Sequence, residues 1–277
     1  MIPAAFDYTA PTTLQEALGV LAEAGDDAKV LAGGQSLLPI LRMRLNAPEK
    51  VVDLGRIDEL RGISDEGDHI VIGAMTTYAD VLASDAVRQH AALLAKAVKE
   101  VADPQIRHRG TVGGALVHAD PAMTNSASRA SAGPGGERIV AAGDFFRDLF
   151  ETAVGDGELL ARIRVPKHTG WGAHYEKFVR VAHQWSIVAV GATVRVDAGS
   201  IAEARIGLTN MGATPLRATA VEQALVGRRA TDEAVREACA AAAEGTNPPS
   251  DLNGSAEYRR HLATVLTRRA VLAAAGV

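Results

Sequence analysis

Apolar positions in the first 55 residues follow two alternating rhythms. Leu14, Ala17, Leu18 and Leu21 fall three and four residues apart, the repeat of one helical face. Thr13 with Glu16 three positions on is a capping-box start, and Gly25 suits the helix end. Lys29-Val30-Leu31-Ala32 predicts a short strand that Gly33-Gly34 breaks. Residues 36–45 read as a second helix, with Pro39 tolerated in its first turn. Val51-Val52-Asp53-Leu54 reads as a buried strand. Residues 1–55 are therefore expected to form an α/β unit.

A second unit is expected over residues 56–171. Residues 69–73 predict a strand, 78–83 a short helix and 91–101 a stronger one. A polar, glycine-rich passage follows, from Ile106 to Gly114. Residues 138–140 and 159–165 read as strands, and Met123 to Gly136, rich in Ser, Ala and Gly, as a mobile loop. Over residues 172–277 strands come first and helices after. Residues 175–181, 187–196 and 201–209 alternate or run apolar as strands do, and about 218–226, 232–244 and 256–275 as helices. The fold class expected is α+β, ending in a three- or four-stranded antiparallel sheet with a helical bundle.

Composition narrows the function. The chain has 277 residues, 47% apolar and 22% charged, which is enough to bury a large core and excludes disorder as its main state. Aromatics are 4%, too few for a stacking surface along single-stranded nucleic acid. With 29 basic and 33 acidic residues the net charge is −4, so no global field holds nucleic acid or an anionic membrane. Cys239 is the single cysteine, so neither an internal disulfide nor a Cys-ligated iron–sulfur or zinc site can be built from this chain alone. It reads as a small apolar residue in an Ala-rich helix. The start, Met1 to Asp7, lacks the basic and apolar regions of a secretory leader, and no run reaches the ~20 apolar residues of a membrane span. A cytoplasmic protein with no membrane span is expected.

Two passages carry candidate chemistry. Ala32-Gly33-Gly34-Gln35-Ser36 lies between a strand and a helix, where paired glycines let backbone N–H groups approach a phosphate. Arg109-Gly110-Thr111-Val112-Gly113-Gly114-Ala115 is similar in character. Each reads alternatively as a plain tight turn. Together they suit a dinucleotide whose pyrophosphate is clamped from two sides. A Rossmann site is the competitor, since Asp53 lies 20 residues after Gly33, but the G-x-G-x-x-G spacing fails and Asp53 reads as a strand-end cap. No Walker lysine and no G-x-S-x-G elbow is present. The eight histidines form no metal-ligand spacing, and only His118, four residues past Gly114, is placed to reach the same ligand. Arg259, Arg260, Arg268 and Arg269 fall outside the apolar stripe of the last helix and read as a solvated or partner-facing edge.

The two glycine passages resemble the FAD-binding motifs of the molybdenum hydroxylase (xanthine dehydrogenase) flavoproteins, most of all the medium subunits of aerobic carbon monoxide dehydrogenases. The likeness runs the whole chain, through Ile72-Gly73-Ala74-Met75-Thr76-Thr77, Ala102 to Arg107, Tyr175-Glu176-Lys177, Ile206 to Asn210 and Ala256 to Arg259. It implies two FAD-binding subdomains, residues 1–55 and 56–171, and a C-terminal α+β domain, 172–277. It implies non-covalent FAD. Ala32, Gly33, Gly34, Gln35, Ser36, Thr111, Val112, Gly113, Gly114 and Ala115 would cradle the pyrophosphate and neighbouring oxygens. Lys177 would lie near the isoalloxazine and Leu160 would cover the ring edge. Val181, His183 and Gln184 stand where relatives carry a basic residue and a Gly-Asp pair, and Thr124 where they carry an acid. No residue of the chain is expected to be catalytic and none to bind metal, because the flavin carries the reaction. Molybdopterin and [2Fe-2S] clusters would reside on a large and a small partner subunit, in a dimer of heterotrimers. Electrons would pass from the clusters through the flavin to an external acceptor, with carbon monoxide the first substrate expected. Xanthine, aldehyde or N-heterocycle dehydrogenation, or a self-contained flavin oxidase, are the alternatives.

Overall fold

A computed structural model describes residues 2–120, the backbone of 128–133, and 136–277. Three sheets organise the chain. In the first, strand Lys50–Asp53 lies between Asp7–Thr9 and Ala28–Leu31, parallel to both. Helix Leu14–Ala24 buries Ala17, Leu18 and Leu21 against it, with Val52, Leu54 and Ile57 in the same core. Its capping box is formed: Thr13 Oγ1 accepts from the Glu16 amide at 3.2 Å, and the Glu16 carboxylate accepts from the Thr13 amide at 3.3 Å. The second helix is shorter than its apolar pattern predicts, Leu37–Arg42, because Arg44 turns into the left-handed region at φ 57°.

The second sheet is antiparallel, in the order Ile63–Glu66, His69–Gly73, Leu159–Pro166, Ser128–Gly133, Gly136–Val140. Ser128–Gly133 corrects the loop expected over residues 123–136. Low strand propensity is overridden there by pairing on both sides, with Leu159–Arg164 and with Gly136–Val140. Residues 123–127, 134 and 135 lie outside the described residues. Helices Tyr78–Ala83, Asp85–His90 and Ala92–Lys99 cover this core through Tyr78, Val81, Val87 and Val98.

The C-terminal sheet has four antiparallel strands, Gly172–Phe178, Val188–Asp197, Ser200–Thr209 and Leu216–Arg217. Helices Thr219–Leu225, Asp232–Cys239 and Ala256–Ala275 pack on it. One arginine departs from its expected place at a solvated edge. Arg259 is 1% exposed, at the head of the buried stripe Leu262, Ala263, Leu266, Ala270. Its charge is met by the Asp251 carboxylate at 2.8 Å and the Ile187 carbonyl. Arg268 is held bidentate by Asp232, which ties the last helix to its neighbour.

Candidate functional site

A cleft of about 640 Å³ opens among the three parts of the chain. Ala32, Gly33, Gly34, Gln35 and Ser36 line it from the first part. Thr111, Gly113, Gly114, Ala115, His118 and Leu160 line it from the second, and Lys177 from the third. Val112 is the exception, buried in the core of the second part and absent from the lining.

The two passages form one floor by packing on each other. A Cβ on Gly33 would lie 2.2 Å from the Arg109 carbonyl oxygen, and one on Gly114 would lie 3.2 Å from Ala32 Cβ. Their hydrogen bonding differs. In the first passage the chain turns sharply at Gly34, φ +76°. The carbonyls of Gly34 and Ser36 accept from Leu38 and Ile40 at 3.2 and 3.3 Å, and Gln35 Nε2 donates to the Gly33 carbonyl at 3.0 Å. The amides of Gly33, Gly34, Gln35 and Ser36 have no partner among the described residues. Four successive unpaired N–H groups in a half-buried turn make a ready site for an anion. Ser36 Oγ makes no capping bond either, so its hydroxyl is also left to the cleft.

The second passage is closed. Its predicted turn is a helix, Val112–His118, because Thr111 caps it, accepting from the Gly114 amide at 3.1 Å. The Val112 amide donates to the Thr76 carbonyl at 3.1 Å, Gly113 to Ala74 at 2.9 Å and Ala115 to Thr111 at 3.2 Å. A Cβ on Gly113 would sit 2.5 Å from Ala74 Cβ. The expected double cradle of N–H groups is therefore one-sided. This passage offers the cleft the Thr111 hydroxyl hydrogen and a smooth glycine surface.

The remaining walls come from farther along the chain. Leu160 is buried, at a bulge in its strand where the Ala161 carbonyl accepts from the Ala74 amide at 2.9 Å. Lys177 Nζ donates to the Glu100 carbonyl, 2.8 Å away at the end of helix Ala92–Lys99, and burial pulls its pKa down. His118 packs against Phe150, ring centroids 5.3 Å apart. Burial lowers its pKa while the Asp120 charge opposes the shift. Glu158 is paired with Arg138 at 2.6 Å, and that pairing holds its carboxyl down at about 2.

Asp53 stays outside the cleft, accepting from the Gly55 amide and the Tyr8 hydroxyl, both at 2.7 Å, as a strand-end cap. Cys239 is buried, and desolvation pushes its thiol up to about 12. Thr124 lies outside the described residues. No group of three His, Cys, Asp or Glu side chains among the described residues is placed to hold a metal. None of the helices among them is long and apolar enough to cross a membrane. Among the other lining residues, Asp103 and Gln184 were named through the resemblance without a role in the site, and Glu100 and Trp185 were not named at all. Loop positions carry no periodicity, and only the Asp103-Pro104 helix start signalled that its segment was ordered.

Residues 4–168 match the family model described as the FAD binding domain in molybdopterin dehydrogenase, and residues 173–274 that of the CO dehydrogenase flavoprotein C-terminal domain. The chain belongs to the FAD-binding subunits of the molybdopterin dehydrogenases. It is 40% identical to the carbon monoxide dehydrogenase medium chain of Hydrogenophaga pseudoflava, covering 99% of this chain and 98% of that one. It is 41% identical to the medium chain of Afipia carboxidovorans, over 98% and 97%. A solved Cu,Mo-CO dehydrogenase in cyanide-inactivated form superposes with a TM-score of 0.96, at 40% identity, covering 100% of this chain and 99% of that one. The cleft fits the cofactor of the family. Its volume lies within the roughly 300–1,000 Å³ of small-molecule sites, and its row of unpaired amides meets the demand of a diphosphate.

Proposed function

We propose that the chain holds one FAD non-covalently along this cleft, with the diphosphate on the amides of Gly33, Gly34, Gln35 and Ser36. The observation that carries this reading is that row of four unpaired N–H groups. Ser36 and Thr111 add hydroxyl donors, and Gly113, Gly114 and Ala115 let the ligand lie close. Leu160 covers the ring edge, Lys177 brings a cation toward the ring, and His118 closes the wall near Ala115. Bound flavin supplies one- and two-electron transfer. The protein's part is to orient it, shield it from water and set the charge around it. Residues 1–55 and 56–171 serve as the two FAD-binding subdomains and 172–277 as the C-terminal domain.

The chain works as the medium subunit of a cytoplasmic dimer of heterotrimers. A small iron–sulfur subunit delivers electrons and a large molybdopterin subunit carries the substrate reaction, which for this complex is oxidation of carbon monoxide. Support comes from the full-length likeness to two carbon monoxide dehydrogenase medium chains and from the single cysteine, which leaves cluster ligation to other chains. Acid treatment of the purified complex should release one intact FAD per copy of this chain, and in the untreated complex carbon monoxide should drive reduction of a dye acceptor. Flavin retained on the denatured chain would end the non-covalent reading. A complex with full flavin and molybdenum that ignores carbon monoxide would end the substrate reading.

A further inference from the structure

Tyr78 is 7% exposed and is one of the residues that line the cleft. Its hydroxyl has no hydrogen-bond partner among the described residues, yet it is not sealed off from solvent. The rest of the ring is spoken for. One edge lies on Gly110, where a Cβ would stand 3.0 Å from Cε2 and 3.1 Å from Cδ2. The ring also shares the buried cluster of Val81, Val98 and Leu160. What Tyr78 keeps open, the hydroxyl included, therefore opens onto the cleft.

The side chain is held in that place by its backbone. The Tyr78 amide donates to the Gly110 carbonyl at 3.0 Å. Thr77 caps the helix that Tyr78 begins, its Oγ1 accepting from the Asp80 amide at 3.2 Å while the Asp80 carboxylate accepts from the Thr77 amide at 3.3 Å. Thr77 also bridges to Thr111, so the phenol is tied to the second glycine passage. Burial alone pushes its pKa up, which keeps the proton on the oxygen at neutral pH.

A ligand that fills the cleft takes from this hydroxyl the last of its water. Unless the ligand accepts the proton, a buried O–H is left unpaired at a cost in free energy. A dinucleotide presents acceptors along most of its length, as phosphate oxygens, ring carbonyls and ring nitrogens. We propose that Tyr78 is a further cofactor contact, its hydroxyl donating to an acceptor oxygen or nitrogen of the bound dinucleotide. The proposal rests on the reading of the cleft as the FAD site.

The test is Tyr78→Phe in the full flavin-free chain, titrated with FAD and followed by flavin fluorescence. The substitution keeps the ring and removes only the hydroxyl. Its urea midpoint without FAD should match wild type, because the hydroxyl bonds nothing within the chain. FAD should bind about fivefold more weakly. The same loss should reappear with FMN alone or with ADP alone, which tells an acceptor on the flavin half from one on the adenosine half. Equal or tighter binding of FAD by Tyr78→Phe overturns the proposal and leaves the FAD site standing, since a hydroxyl stranded by the ligand gives that result. A lowered urea midpoint in the flavin-free variant also overturns it, by assigning the hydroxyl to the fold. Failure of the wild-type chain to bind FAD overturns both readings.

Discussion

The passages at residues 32–36 and 111–115 share a glycine pair, a nearby hydroxyl and a place on the same cleft, yet they do opposite work. Around Gly33 and Gly34 the carbonyls are used within the chain and the amides are left over. Around Gly113 and Gly114 every amide from Val112 to Ala115 is taken, and the glycines serve close packing against Ala74 and Ala32. A glycine pair marks where backbone must come close. Whether it comes close to a ligand or to another part of the chain is decided by where the N–H groups go.

If the second passage is structural, damage there should show without any flavin. Gly113→Val puts its Cβ into Ala74, and should lower the stability of the flavin-free chain by about 3 kcal/mol or more. An unchanged urea midpoint would break the comparison. Thr111→Val strands the Gly114 amide, and should cost about 1–2 kcal/mol, which Thr111→Ser restores. Ser36→Ala in the open passage should behave the other way. The stability of its flavin-free chain in urea should stay within about 0.5 kcal/mol of wild type, while FAD binds about fivefold more weakly by fluorescence titration. The smallest effect belongs to the paired carboxylate on the far wall. Glu158 titrates at about 2 in the folded chain against 4.5 unperturbed, so its pairing stabilises above pH 4.5 and is lost as pH falls toward 2. Glu158→Gln should cost about 1 kcal/mol at pH 6, and its melting curve should converge on wild type as pH approaches 2. A gap that persists there would assign the loss to packing instead.

The helices with strong caps were legible from local chemistry. Thr13 with Glu16 starts a helix found where the apolar spacing places it, and the last helix has the limits its apolar stripe predicts, Ala256–Ala275. Helix Val112–His118 was not legible, because two glycines oppose a helix and only the Thr111 cap and the docking on residues 74–76 enforce it. Strand Ser128–Gly133 depends on partners distant in sequence. Arg259 misled because a charge is read as exposed. The spacing 259, 263, 266, 270 would have placed it on the buried face. Of the site, the two glycine passages, Leu160 and Lys177 were named from motif and resemblance. The wall holding Gln184 and Trp185 is made by tertiary packing of a loop, which leaves no period in sequence.

Amide hydrogen exchange with and without FAD separates the two passages most directly. In the flavin-free chain the amides of Gly33, Gly34, Gln35 and Ser36 should exchange freely and become strongly protected when FAD is added. The amides of Val112, Gly113, Gly114 and Ala115 should be protected in both states and change little. Protection gained mainly at 112–115, or no change at 33–36 once FAD is shown to be bound, would contradict the account.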